Sequence, residues 1–272
     1  MTPKHKSTPT RNPFRFGSSS SSDPIVPLLH VQFSDEKAHQ DFSKNFSKRG
    51  VHPERHVIPL NFSNIPLPNV IHTRGWESLC EIPLRCLIVF IQEFYSNIHG
   101  IDTSVPQFAT TFRGRRIVVT PDLIFKILHV PRVLHPDYLG CQCLRTVSKD
   151  KLLSHFYETP SVWGERQNTP CSGFTKGPRF LNMVITFVLT PLSHYNSITK
   201  PHARFLLSFL EDLAIDFPTH FITSIIDVYQ DMATHDKLIF PLVITRILRY
   251  FSIPIPNSPY FTVMGAISVA FV

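Results

Sequence analysis

Cys141-Gln142-Cys143, with His135 shortly before it, comes nearest to a metal-binding pattern in this sequence. Structural zinc needs paired ligands at finger spacing, and no C-x2-C partner or H-x3–5-H run follows. The cysteines therefore read as ordinary reduced thiols, and no metal is expected. Nucleophilic catalysis has no better footing. There is no G-x-S-x-G elbow, and neither Cys80 nor Cys171 has a neighbouring base in sequence to activate it. A Walker loop and a dinucleotide fingerprint are both missing, so no cofactor and no catalytic residue is expected.

Two other groups could do chemistry. A two-metal nuclease or transposase would gather carboxylates, and Asp102, Asp122, Asp137, Asp212, Asp227 and Asp231 are available. Asp212, Asp227 and Asp231, however, fall in or beside amphipathic helices, where a solvated face accounts for them. The strand-rich core that such an enzyme needs is not visible. The second group is the basic turn Arg113-Gly114-Arg115-Arg116. Guanidinium groups on a hairpin can straddle a phosphate backbone, which makes Arg113, Arg115 and Arg116 the candidate nucleic-acid contacts. The competing reading is a solvated turn with a permissive glycine, since no aromatic platform for base stacking is evident.

The elements that would position these residues are mostly helical. Between Thr199 and Ile255 three helices follow one another. The first places Ala203, Leu206, Leu207, Leu210, Leu213 and Ala214 on one stripe, with Arg204, Ser208, Glu211 and Asp212 off it. The second uses Ile222, Ile225, Ile226, Tyr229, Met232 and Ala233. The third uses Phe240, Val243, Ile244, Ile247, Leu248 and Phe251, with Thr245, Arg246 and Arg249 outward. Thr199 reads as the first cap, and Asp216-Phe217-Pro218 as a break. Earlier in the chain, Ser34 reads as the N-cap of a helix closed by Gly50. A core helix keeps its spacing from Leu84 to Ile98. Phe108 to Thr120 reads as two short strands about the basic turn. Thr120-Pro121 opens a helix through Leu128, and Ser148 caps another. Residues 159–178 read as loop, and Phe180–Leu189 as a buried helix.

The chain has 272 residues, 43% of them hydrophobic, with 23 Phe, 24 Pro and a net charge of +7. That is enough apolar surface for a sizeable core, and the prolines imply short, punctuated helices. The charge permits an anionic partner without requiring one. Five cysteines without a regular framework, and no apolar leader, imply an intracellular protein, nuclear or cytoplasmic. No apolar run is long enough for a membrane span. Residues 1–27 carry scattered basic residues, prolines and a run of serines, and read as a disordered basic tail. The remainder, 28–272, reads as a helical domain with possible halves 28–158 and 178–272. The expected fold is mostly α, a multi-helix orthogonal or antiparallel bundle with one small β-hairpin.

The chain resembles the plant, retroelement-associated family labelled "putative plant transposon protein" domain. The resemblance is carried by Pro53-Glu54-Arg55-His56, by Arg74-Gly75-Trp76 and by the run from Phe90 to Ile98. It continues through Arg113 to Thr120, Phe187 to Pro191, Ala203 to Leu207 and Leu238 to Thr245. Together these cover about residues 44–265. The resemblance implies a transposable-element-derived plant protein and supplies no catalytic motif. Members of that family continue past the segment matching Met264-Gly265-Ala266-Ile267, whereas this chain stops at Val272, so the resemblance implies a truncated element fragment. The expected function is a non-enzymatic helical binding or assembly domain, touching nucleic acid through the basic turn and tail or associating with itself. The alternatives are a metal-dependent transposase or nuclease remnant and a pure protein-interaction module.

Overall fold

Asp35, one residue after the expected cap, opens the first helix, α1 (Glu36–Asp41): its carboxylate accepts from the Ala38 N–H at 2.8 Å. Ser34 instead donates its N–H to Asn97 Oδ1 at 2.7 Å. The computed structural model describes residues 32–57, 67–81, 86–138, 142–164, 168–191, 196–231, 236–256 and 267. The tail at 1–27, Cys141, the side chain of Cys143, Met232 and Ala233 lie outside them. Helix α1 runs on as a π-helical turn, Phe42–Phe46, that buries Phe46. Gly50 does not close this helix; it begins strand β1 (Gly50–Val51). Helix α2 (Leu67–Thr73) follows, and then α3 (Ile88–Ser96), in which every residue from Phe90 to Ser96 is buried.

Ile98 does not extend α3. Asn97 ends it, and Ile98 starts β2 (Ile98–Asp102), which pairs antiparallel with β3 (Gln107–Phe112), itself antiparallel with β4 (Arg115–Val119). The expected hairpin is present, and Arg113 and Gly114 at its tip have φ of 49° and 77°. Two positive φ values in succession make the two-residue turn whose twist matches the flanking strands. Helix α4 (Pro121–Leu128) has the expected start, with Thr120 Oγ1 accepting from the Leu123 N–H at 3.2 Å. Helix α5 (Gln142–Thr146) precedes α6 (Lys149–Ser154), whose cap is Ser148 as expected.

Strand β5 (Asn168–Pro170) interrupts the long loop and pairs antiparallel with β6 (Ser197–Thr199). Between them α7 (Lys176–Val184) continues as a buried π-helical stretch, Ile185–Leu189. Helices α8 (Lys200–Leu210), α9 (Phe217–Gln230) and α10 (Pro241–Tyr250) are the three expected at the C-terminal end. Thr199 occupies the cap position of α8 but makes no capping bond. Leu210 is 37% exposed while Ser208 is fully buried, so the face of α8 is rotated from the expected stripe. Thr245 is buried too, and returns its hydroxyl to the Pro241 carbonyl at 2.7 Å. Pro218 sits in the first turn of α9, where a proline is tolerated, so the expected break is a helix start. Strand β7 (Lys237–Leu238) pairs parallel with β1.

Among the described residues the fold is therefore mixed α/β, about 49% helical and 16% strand, with sheets of two, three and two strands. The expectation of a mostly α bundle with one hairpin was wrong. Two of the sheets join segments far apart in sequence, Gly50 to Lys237 and Asn168 to Thr199. Such pairings of two or three residues leave no periodic trace. Helix α10 packs on α3 and α4, and α9 on α4 and β3, so the hairpin stands directly against the helical core. Among the described residues, no helix is long and apolar enough to cross a membrane.

One buried acid closes a helix end from a distance. Phe240, before α10, has φ of 55° and offers no side-chain cap. The orphan Leu242 N–H donates instead to Glu54 Oε2 at 3.0 Å. Burial pushes the Glu54 carboxyl up to about 8, against the opposing pulls of that N–H and of Arg246. Folding thus raises its pKa above the ordinary carboxylate value. Its contribution to stability is full below pH ~4.5 and is lost as pH rises through about 8. Glu54→Gln keeps an acceptor for Leu242 without a charge to bury. The variant should match the parent at pH 5 and exceed it by on the order of a few kcal/mol at pH 9, read from denaturant melts. On the acid side, burial lowers His52 and His220 to about 4 and His202 to about 3. Stability from keeping these rings neutral is full above pH ~6.5 and falls as pH drops towards 3. His220→Gln should flatten that acid limb in the same melts.

Candidate nucleic-acid interface

The three arginines of the basic turn go three different ways. Arg113, at the tip, turns back onto α3. Its guanidinium meets Glu93 through Nε–Oε2 at 3.3 Å and Nη2–Oε1 at 3.4 Å, and lies 4.1 Å from the Phe90 ring centroid. The Glu93 side chain is 2% exposed and that of Arg113 27%. Burial pushes the Glu93 carboxyl up, and the bonds from Arg113 and Gln32 hold it down. Arg113 is thus engaged in neutralising a buried acid.

Arg115 and Arg116 alternate across β4, as successive strand residues must. Arg115 lies on the side of the buried Ile117 and Val119, beyond the end of the core, and reaches the C-terminus of α10. There Nη1 donates to the Phe251 carbonyl, and the guanidinium lies 5.4 Å from the Phe251 ring. A cation at that position answers the orphan carbonyls and negative dipole end of α10. It uses one of five N–H donors, and Arg115 stays exposed. Arg116 is exposed on the outer face of the sheet, opposite Thr111, and forms no ion pair among the described residues. The turn does not gather three guanidinium groups on one side.

What gathers instead is a cluster of cations and aromatic rings from three elements. The Tyr250 and Phe251 rings stand nearly perpendicular, with centroids 5.3 Å apart. Lys126, on α4, holds its Nζ 5.7 Å from the Tyr250 centroid, and its hydrogen bond with the Tyr250 hydroxyl raises the amine's pKa. Arg249, next to Tyr250 in the last turn of α10, is exposed. Arg115, Lys126 and Arg249 have no carboxylate within ion-pair distance among the described residues. The sequence missed Lys126 and Arg249 as contacts, and it placed Phe251 in a core stripe without remarking Tyr250. The available signal was a basic residue on each of two helices whose exposed ends meet only in three dimensions.

The enzyme-like arrangements are scattered. Asp102 accepts from its own loop, at Ser104 and Val105. Asp122 pairs with Arg132, Asp212 with Arg74 at 2.8 Å, and Asp137 accepts the Ala214 N–H at 3.0 Å. No three histidines, cysteines or acids among the described residues are placed to share a metal ion. Burial drives Cys80, Cys86 and Cys171 up to about 12, far from a thiolate at neutral pH. Thr190 Oγ1 lies 2.8 Å from His220 Nε2, a hydroxyl–imidazole pair. But His220 is buried against Phe205, which lowers its pKa to about 4, and no carboxylate among the described residues orients its ring, so it is a poor base.

The family described as "Putative plant retrotransposon-related domain" matches residues 72–254. The chain belongs to this family. Its matched span runs from the end of α2 to just beyond α10 and so contains the hairpin, α4 and the cluster at Tyr250. Membership supports descent from a plant transposable element. No curated protein and no solved structure matches the chain.

The division of labour among the arginines has a direct consequence. Arg113→Ala leaves Glu93 buried without its cation and should cost about 3 kcal/mol in chemical denaturation. Arg116→Ala should fall within about 0.5 kcal/mol of the parent in the same experiment.

Proposed function

We propose that this retroelement-derived domain is a non-enzymatic binding module that holds nucleic acid by its phosphate backbone at the open end of α10. The observation that supports the reading is the placement of Arg115 on Phe251 and Lys126 on Tyr250, with Arg249 exposed in the same last turn, none of them paired with a carboxylate among the described residues. Arg116 flanks the group on the outer face of the same edge strand. Surface cations without a carboxylate partner among the described residues keep their attraction for a polyanion, whereas Arg113, Arg132 and Arg246 spend theirs on Glu93, Asp216 and Glu81. The reading revises the sequence-based candidates: Arg115 and Arg116 stay, Arg113 leaves, and Lys126 and Arg249 join.

Phosphate contacts of this kind release condensed counterions, so affinity should fall linearly with salt on logarithmic axes. Replacing Arg115, Arg116, Lys126 and Arg249 together by alanine should make the slope shallower by about three, with affinity lost across all sequences alike. Fluorescence anisotropy with a labelled oligonucleotide across a salt series reads both. An unchanged slope would remove the reading and leave these cations as a solubility feature.

A further inference from the structure

Resting on that reading, we infer that Tyr250 is a stacking platform for an unpaired base, and that the ligand is single-stranded rather than duplex nucleic acid. Tyr250 is 43% exposed, a large exposure for an aromatic ring beside a core. Phe251 meets it at an interplanar angle of 82°, so it covers at most one face. What stands over the ring otherwise is Lys126, a flexible chain whose amine can move to a phosphate while the ring takes the base. This pairs a stacking surface with cations at one-residue distance, the arrangement by which single strands are held without sequence readout. Phe125, beside Lys126 on α4, is exposed at 46% and adds a second aromatic surface on the same helix.

The shape of the site argues against duplex. Entering a major groove takes a helix or a two-stranded ribbon that can be inserted along its length. Helix α10 is buried from Pro241 through Leu248 apart from Leu242 and Arg246, and offers only its last turn. Helix α4 spans eight residues, with Ile124 and Leu128 buried in the core. The β3–β4 ribbon packs on α3 and α9 and is tied at its tip to Glu93 through Arg113, so the patch is suited to lie along a backbone, whereas an unstacked base can come to Tyr250.

The test is anisotropy binding of the full chain to a labelled oligothymidylate and to a duplex of equal length, at several salt concentrations, with the parent, Tyr250→Ala and Tyr250→Phe. The parent should prefer the single strand. Tyr250→Ala should lose that strand by roughly tenfold while duplex affinity and the salt slope stay as in the parent, and Tyr250→Phe should retain binding. Equal losses for both ligands, no loss for either, or a parent that prefers duplex would each overturn the stacking role while leaving the electrostatic reading standing. Absence of salt-dependent binding by the parent to either ligand would instead overturn the proposed function itself. Because Tyr250 lies at an exposed helix end, a circular-dichroism melt of each variant separates a binding defect from an unfolded chain.

Discussion

A carboxylate on a fully buried stretch of helix has to be answered by a cation, and here the demand falls on the hairpin. Glu93 lies in α3 among Phe90, Ile91, Phe94 and Tyr95, where an unpaired charge would be costly to keep. Arg113 supplies the answer only because the turn at Arg113-Gly114 adopts positive φ at both residues and folds the guanidinium back over Phe90. That one pair fixes the hairpin against α3. It also sets the direction of β4, so that Arg115 arrives at the end of α10 and Arg116 on the outer face.

The same economy recurs elsewhere in the molecule. Glu54 receives the first free N–H of α10, and Asp216 takes both the Arg132 guanidinium and the Val133 N–H beside the start of α9. Asp212 and Glu81 are occupied by Arg74 and Arg246. These acids are thus committed to cations and backbone N–H groups of their own, and among the described residues part of the positive charge is left at a surface with no acid to meet it. A net charge of +7 is by itself a statement about solubility and partners. Its uneven placement turns it into a local one.

Much of this was legible in the sequence wherever the determinant was local. The Thr120-Pro121 start, the Ser148 cap, the hairpin and the last three helices each rest on contacts within a few residues, although the turn is Arg113-Gly114 alone and Arg115 and Arg116, read as part of it, belong to β4. What was not legible was set by distant partners. Strands β1 and β7 are two residues each and exist only by pairing with one another. Ile98 continues the apolar spacing of α3, and only the antiparallel partner Thr110 shows that it is strand. At the site, residue type singled out Arg113, Arg115 and Arg116 equally, because nothing in the local sequence reveals that Glu93 lies beneath the first. Lys126 and Tyr250 meet only through the packing of α10 on α4.

The proposed interface is the cation–aromatic cluster at one end of α10. A chemical-shift titration of the isotope-labelled protein with a short oligothymidylate tests that most directly, because it locates contact without altering the chain. Shifts concentrated at Arg115, Arg116, Phe125, Lys126 and Arg249 to Phe251, with Arg113 and Glu93 little changed, are the result expected of an interface at the end of α10. Saturable shifts centred elsewhere, or none at low salt, would contradict it.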